Sequence, residues 1–329
     1  MLITIAGPGR AGFIMNALRV SLTQSGFPVR ICQDVALSDI RDVEATEVLV
    51  PIAVDCGRRE IERMTRVRGI VSPLLGYEWI DVAAATERNI PVINGEVEEN
   101  RASMAEATIM LLLSLLYRFK DTENPARRGQ PGGMERTMLL GKAVGIIGYG
   151  GISRTIIERL EPFGCSIVVH TQNPPSERSG KVQFPSLERL LRQSDAVLLM
   201  TSLTDRTRHI LGRKELGNIK QGAVLVNTAR GGLIDEDALA DVLRSGAIAA
   251  AAVDVFEREP LPLDSPLLAL PNVTLTPHAI GHTRDAFEAM IRAASEHILS
   301  LLKGEIPRSR CNAVSEAGWL KRFSKEAAR

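Results

Sequence analysis

Three short clusters in the second half of the chain carry groups suited to proton transfer and anion capture. The first, Asn227-Thr-Ala-Arg-Gly-Gly-Leu-Ile-Asp235, follows directly on an apolar run. An arginine set between a strand and a pair of glycines, as Arg230 is, can clamp a carboxylate through two parallel hydrogen bonds. The second, Asp254-Val-Phe-Glu-Arg-Glu-Pro260, and the third, Thr276-Pro-His-Ala-Ile-Gly-His-Thr283, also stand at the ends of strand-like runs. Singly, each has a plain structural explanation. Arg230 would make a surface ion pair, Glu259 a solvated loop carboxylate, and His278 a satisfied structural histidine; His282 suits that last role still better. What points to chemistry is their conjunction: three clusters in one order, all after one glycine-rich turn.

That turn is Gly141-Lys-Ala-Val-Gly-Ile-Ile-Gly-Tyr-Gly-Gly-Ile-Ser153. A short apolar run, Val144 to Ile147, ends in small residues, and a helical pattern follows from Ile152 to Leu160. Strand, tight turn and helix in that order bring backbone N–H groups and a helix N-terminus up to a pyrophosphate. Gly148 permits the tight turn, Gly150 lets a ligand approach the chain, and the third place of G-x-G-x-x-G is Ser153. A rival lies near the start of the chain. Gly7-Pro-Gly-Arg-Ala-Gly12 matches the pattern in full, and Asp34 follows Gly12 by 22 residues, where a ribose-binding acid belongs. By pattern alone the rival is the better match. Against it, Pro8 has no N–H to offer a phosphate, and any repeated βα unit places a turn between strand and helix.

The elements that must position these residues alternate throughout, which predicts parallel sheets covered by helices. In the first part, residues 2–6, 29–32, 48–54, 69–71 and 91–93 read as strands, and 11–24, 60–66 and 80–88 as helices. Asn100 is expected to cap a long helix reaching about Tyr117, apolar on most faces and therefore buried. Asp121 to Arg136, with Pro125, Pro131 and three glycines, reads as a linker or projecting arm. After Gly141 there are six strand signals, the number a full dinucleotide-binding sheet uses. The expected fold is α/β: a Rossmann doubly wound parallel sheet plus a smaller flavodoxin-like domain. Ligands in such sheets bind beyond the carboxyl ends of the strands, so the three clusters should converge near the Gly148 turn.

Length and composition bound the function. At 329 residues the chain has room for about two domains. Lys and Arg number 40 against 39 Asp and Glu, so no net charge steers it to nucleic acid or to a membrane surface. Cys32, Cys56, Cys165 and Cys311 have no C-x-x-C spacing, which argues against a disulfide framework or zinc site and for a reducing compartment. Leu2 to Ala6 is strand-like with no basic flank, so no signal peptide is expected. The most apolar stretch, Met104 to Tyr117, is too short for a bilayer, which needs ~20 apolar residues. A cytoplasmic protein is the expectation.

The clusters resemble the D-isomer-specific 2-hydroxyacid dehydrogenases. N-T-A-R-G-G-L-I-D, D-V-F-E-x-E-P and T-P-H with a downstream Gly and Thr are signatures of that family, in its order. Ser72-Pro-Leu-Leu-Gly-Tyr-Glu-Trp-Ile-Asp81 is similar to its substrate loop, and Ser103-Met-Ala-Glu106 to its approach to the inter-domain helix. The resemblance implies an NAD(P)-dependent oxidoreductase of the glyoxylate/hydroxypyruvate reductase kind, moving hydride between nicotinamide and a 2-oxoacid or D-2-hydroxyacid. In it His278 exchanges the proton of the ketone oxygen, Glu259 orients His278 and favours the imidazolium, and Arg230 binds the oxoacid and polarises its carbonyl. Backbone N–H groups at Leu75 and Gly76 would hold the substrate carboxylate. Gly148, Gly150, Gly151, Ile152, Thr171, Gln172, Thr207, Thr228, Ala229 and Gly281 would lie along the cofactor, with Asp254 beside the nicotinamide. No metal is implied. The resemblance places the cofactor in residues 99–284 and the substrate domain in 1–98 with 285–329, which settles the rivalry of the two turns for Gly148. A homodimer is also implied, with residues 121–136 similar to the dimerisation arm.

Departures from the family pattern bear on specificity. The strand ending Val169-His-Thr-Gln-Asn173 has no acid for the ribose hydroxyls. That removes repulsion against a 2′-phosphate, with Arg178 or Lys181 as candidates to reach one, although the arginine that NADP-using relatives often carry directly after this strand is missing too. The lean is to NADP over NAD. Met200-Thr-Ser-Leu-Thr204 lacks the family's usual His and Pro, and Leu74 stands where Gly is common. Two alternatives remain: a formate- or phosphite-type dehydrogenase, against which Glu259 speaks, and a nucleotide-sensing corepressor-like binding protein on the same fold.

Overall fold

The computed structural model describes residues 1–131, 135–175 and 182–324. It divides into two compact units, Met1–Asn100 with Thr283–Arg329, and Arg101–His282.

In the first unit β1 (Leu2–Gly7), β2 (Val29–Gln33), β3 (Thr46–Pro51), β4 (Gly69–Val71) and β5 (Val92–Ile93) form one parallel sheet. Their order is β2-β1-β3-β4-β5, the flavodoxin-like arrangement. Helices α1 (Gly12–Gln24), α2 (Arg58–Arg63) and α3 (Val82–Glu87) connect these strands. β3 is buried along its whole length, as a strand covered on both faces must be. The returning end of the chain completes this core. Ile298 and Leu301 of a long helix, Arg284–Lys303, pack with Ile3, Ile5 and Val48, and so does Trp319 of a last short helix, Glu316–Ser324. The Trp319 indole N–H donates to Arg68 O at 2.6 Å.

The second unit opens with α4 (Glu98–Leu116, its first three residues in the first unit) and α5 (Phe119–Arg127). Strands β6 (Ala143–Ile147), β7 (Ser166–His170), β8 (Ala196–Leu199), β9 (Ala223–Asn227), β10 (Ile248–Val253) and β11 (Val273–Leu275) follow, all parallel. They lie in the order β7-β6-β8-β9-β10-β11. Beyond β7, Gln183 makes a single parallel bridge to Val168. Counted as a strand worn down to one bridge, it gives the 3-2-1-4-5-6 order of a dinucleotide-binding sheet as far as β10, with β11 as a seventh strand at the far edge. Helices α6 (Gly151–Leu160), α7 (Leu187–Gln193), α8 (Arg213–Leu216) and α9 (Glu236–Arg244) cover the faces. Local chemistry starts two of them: Ser186 accepts from Arg189 N–H and Asp235 from Ala238 N–H, each a side-chain cap. The long and the short C-terminal helices are α10 and α11.

The α/β class and both sheets match the sequence expectation, with differences of detail. α4 begins at Glu98, so Asn100 lies inside it and does not cap it. Residues 119–127, read as part of an irregular arm, are helical despite Pro125; residues 132–134 of that arm lie outside the described residues. β3 is shifted two to three residues toward the N-terminus of its expected span. Among the described residues no single helix is long and apolar enough to cross a membrane.

Candidate active site

The Gly148 turn sits at the point where the strand order reverses, between β6 and β8. Gly148 has φ +111°, a conformation that side-chain-bearing residues rarely adopt, and a Cβ there would fall on the Met200 carbonyl just past β8. Gly150 stands before the first residue of α6 with φ −89°, and a Cβ there would meet nothing within 4 Å. Space therefore opens directly over the N-terminus of a ten-residue helix, whose first-turn N–H groups at Gly151 and Ile152 have no intrahelical acceptor. Those features fit a pyrophosphate. Ser153, in the third fingerprint place, is fully buried and its hydroxyl finds no acceptor; it serves helix–sheet packing rather than the ligand face.

At the Gly7 turn the structure shows a different arrangement. The Gly9 N–H donates to the Asp34 carboxylate at 2.8 Å, so the position a phosphate would take is occupied by the chain's own anion. Asp34, the would-be ribose acid, is itself in the left-handed region at φ 56°.

The proposed general acid–base pair is assembled in the second unit. His278 Nδ1 lies 2.7 Å from Glu259 Oε2, and Glu259 Oε1 accepts the Phe256 N–H at 3.0 Å. Burial tends to raise the Glu259 pKa. The His278 and Phe256 hydrogen bonds, with the charges of His278 and Arg230, outweigh it and hold this carboxyl below its ordinary range. A carboxylate only accepts hydrogen bonds, so Nδ1 carries the proton and Nε2 is the nitrogen that exchanges one. His278 adopts φ 53°, and its N–H donates to Asp254 O at 2.7 Å. Asp254 is nearly fully buried. Its Oδ1 accepts from Thr276 Oγ1 at 2.6 Å, Ala279 N at 3.1 Å and Ile280 N at 3.3 Å. Asp254, expected beside a nicotinamide, thus also shapes the loop that presents His278. His282 is lowered in pKa, first by burial and then by the His278 charge, with Asp254 opposing both, which favours its neutral form.

Arg230 is placed by the end of β9. Asn227 staples this loop, its amide donating to Arg230 O at 3.0 Å and its carbonyl accepting from Ala229 N at 3.1 Å. Arg230 Nη1 donates to Ala229 O at 2.7 Å. A Cβ on Gly231 would overlap the Phe256 carbonyl and Glu257 N, so the loops bearing Arg230 and Glu259 are pressed backbone to backbone. The clusters at Arg230, Glu259 and His278 do come together. A second pair that the sequence did not single out lies beside them: His209 Nε2 meets Glu257 Oε1 at 2.5 Å, and Glu257 N–H donates to Glu236 Oε1 at 2.6 Å. No spacing rule flags a histidine 48 residues from its partner.

The remaining expected residues fall into four groups. Thr228 Oγ1 meets Thr108 Oγ1 of α4 at 2.9 Å, and Gly281 O accepts from Ser103 Oγ at 2.8 Å, so both are tied to α4. The Thr207 hydroxyl is spent within its own turn, on Ser202 O at 2.7 Å and Thr204 N at 2.8 Å. At the end of β7, Thr171 is half-buried and Gln172 exposed, and Thr171 Oγ1 accepts from Asn173 N at 3.3 Å; Arg178 and Lys181 lie outside the described residues. Leu75 and Gly76 belong to the first unit, in the loop after β4. Among the described residues there is no group of three or more His, Cys, Asp or Glu placed to hold a metal.

Comparison with known proteins gives this geometry its family. Residues 109–279 match the family model for the D-isomer-specific 2-hydroxyacid dehydrogenase, NAD-binding domain. The chain is 36% identical to a glyoxylate reductase of Aeropyrum pernix, over 84% of this chain and 85% of that protein. It is also 36% identical to a D-3-phosphoglycerate dehydrogenase of Methanocaldococcus jannaschii, over 84% of this chain but 53% of that protein. The crystal structure of a glyoxylate reductase from Paecilomyes thermophila superposes with TM-score 0.81 at 29% identity, covering 94% of this chain and 98% of that one. The chain belongs to the D-isomer-specific 2-hydroxyacid dehydrogenases and is an NAD(P)-dependent oxidoreductase acting on the CH–OH group of 2-hydroxyacids.

Proposed function

We propose that the protein reduces small 2-oxoacids of the glyoxylate and hydroxypyruvate class to D-2-hydroxyacids, with NADPH preferred over NADH. The observation that carries the reading is the His278–Glu259 pair, 2.7 Å apart, beside a loop that offers an arginine. A nicotinamide cofactor held over Gly148, Gly150 and the N-terminus of α6 would supply the hydride. His278 Nε2 gives its proton to the developing alkoxide, and Glu259 stabilises the imidazolium before that transfer. Arg230 pairs with the oxoacid and draws charge onto its carbonyl oxygen, while Leu75 and Gly76 N–H groups take the carboxylate. In the balanced reaction, oxoacid, NADPH and a proton give hydroxyacid and NADP⁺; oxidation runs the same steps backward.

The lean to NADPH rests on the end of β7, where His170, Thr171, Gln172 and Asn173 offer no carboxylate against a 2′-phosphate. In this reading residues 99–284 hold the cofactor and residues 1–98 with 285–329 the substrate. The four cysteines are free thiols, consistent with a reducing cytoplasm. A homodimer is part of the proposal: Met110, Tyr117, Phe119, Met138 and Leu140 are each about half exposed or more, and Thr137 N–H ties the 138–140 segment to Leu116 O at 3.0 Å. So large an apolar cluster calls for a cover.

Oxidation of NADPH and of NADH with glyoxylate, hydroxypyruvate, pyruvate and phenylpyruvate tests the reading. Turnover is expected with the two smaller, more polar acids and a higher kcat/KM with NADPH. Failure of every oxoacid to oxidise either cofactor would refute it.

A further inference from the structure

The loop after β4 has an unusual hydrogen-bond account. Three consecutive carbonyls, those of Leu74, Leu75 and Gly76, are all taken by donors of one small cluster. Leu74 O accepts the Gly95 N–H at 2.8 Å. Leu75 O accepts from Asn94 Nδ2 at 2.9 Å. Gly76 O lies 2.8 Å from Ser72 Oγ, which is also 3.1 Å from Leu74 O. A hydroxyl has one proton, so Ser72 serves one of these at a time, and Gly95 secures Leu74 O in either case. Ser72 is fully buried and Asn94 nearly so. The brace is tight: a Cβ on Gly95 would fall on the Pro73 carbonyl.

Ser72 follows β4, and Asn94 and Gly95 follow β5, its neighbour in the sheet. All three carbonyls therefore turn to the same side. These peptide bonds are trans, the one cis bond among the described residues being Glu259-Pro260. In a trans peptide the N–H points opposite to its own carbonyl. The N–H groups of Leu75, Gly76 and Tyr77 must then all face away from the brace, and among the described residues none of the three donates to a protein acceptor. Three successive N–H groups on one side of a loop, with no protein acceptor, are donors available to an anion.

We infer that Ser72, Asn94 and Gly95 build a three-donor anion nest, in which the Tyr77 N–H joins Leu75 and Gly76 in holding the substrate carboxylate. Two carboxylate oxygens offer about four acceptor sites, enough for three donors. Ser72 and Asn94 are positioning residues: they touch the loop and not the substrate. The inference rests on the reading that Leu75 and Gly76 receive the carboxylate, and the test separates the two.

Asn94→Asp keeps the side-chain shape and removes the donor; Ser72→Ala removes the hydroxyl and Ser72→Thr restores it. Each is measured for oxamate binding to the enzyme–NADPH complex, for KM and kcat with glyoxylate and its uncharged amide, and for NADPH affinity. Asn94→Asp is expected to weaken oxamate binding and raise the glyoxylate KM by about 10–100-fold, as for lost hydrogen bonds to a charged group. Ser72→Ala should lose about tenfold, Ser72→Thr should stay near wild type, and kcat and NADPH affinity should change less than threefold in all. Unchanged glyoxylate KM and oxamate affinity in both Asn94→Asp and Ser72→Ala would overturn the brace while leaving the carboxylate reading intact, provided the wild type prefers glyoxylate to its amide. A wild type indifferent between acid and amide would overturn the carboxylate reading itself. Parallel loss of NADPH binding in the variants would also contradict the inference, because the damage would not be confined to the anion loop.

Discussion

The tautomer of His278 is fixed by a neighbour that can only accept. Because Glu259 is held below the ordinary carboxylate range, it stays ionised into mildly acidic solution, and its stabilisation of the imidazolium is lost only as pH falls through that lowered value. Reduction draws a proton from His278, so the Glu259 charge that favours the imidazolium should sustain kcat/KM for the oxoacid until pH falls through that lowered value. Glu259→Gln removes the charge that favours the imidazolium. The variant's kcat/KM is expected to fall about tenfold, equivalent to about 1.4 kcal/mol, with cofactor affinity unchanged; an unchanged kcat/KM would remove Glu259 from its role. A second residue-scale expectation concerns stability. The buried Ser153 hydroxyl has no acceptor, so Ser153→Ala should leave stability unchanged or raise it by about 1 kcal/mol in denaturant unfolding. A marked loss would show that the hydroxyl is satisfied after all.

At the scale of elements, two strand–turn–helix units compete for one role, and backbone geometry separates them where the pattern did not. The Gly7 turn has the complete glycine pattern, yet its exposed N–H is bound by Asp34. The Gly148 turn has the weaker pattern and an open helix N-terminus. Gly150→Leu is accordingly expected to abolish NADPH binding in a fluorescence titration while the chain stays folded, since its φ of −89° suits any residue. Gly9→Leu displaces only the flexible ends of Asp34 and Gln33, about 3.1 Å from a Cβ, and should leave binding intact. The reverse outcome would exchange the two turns. The clusters around Arg230, Glu259 and His278 were legible in sequence because each follows its strand within a few residues, and the fold brings strand ends together. His209, Glu257, Ser72 and Asn94 were not. Their roles depend on partners in other loops, or on which way a peptide carbonyl turns, and neither leaves a periodic trace in one sequence. Likewise α5 was hidden by Pro125 and the surrounding glycines, which read as irregular until the helix around Phe119 is seen.

For the whole molecule, the two sheet orders explain where chemistry can be placed. Each sheet is parallel and reverses its order once, so each presents loops at the carboxyl ends of its strands, and both the Leu75–Tyr77 loop and the His278 loop follow strand ends. The assembly adds a separate expectation. In light scattering the protein should run as a dimer, and Leu140→Asp combined with Phe119→Ser should shift it to monomer by charging and thinning the apolar cluster; a monomeric wild type would contradict the homodimer. The central claim is proton exchange by His278 during oxoacid reduction, and the most direct test mixes the enzyme–NADPH complex with glyoxylate and follows cofactor oxidation in wild type and in His278→Asn. Ready oxidation is expected in the wild type, with a rate about 10²–10⁴-fold lower in the variant and equal NADPH affinity in both. Equal rates in the two proteins would contradict the claim.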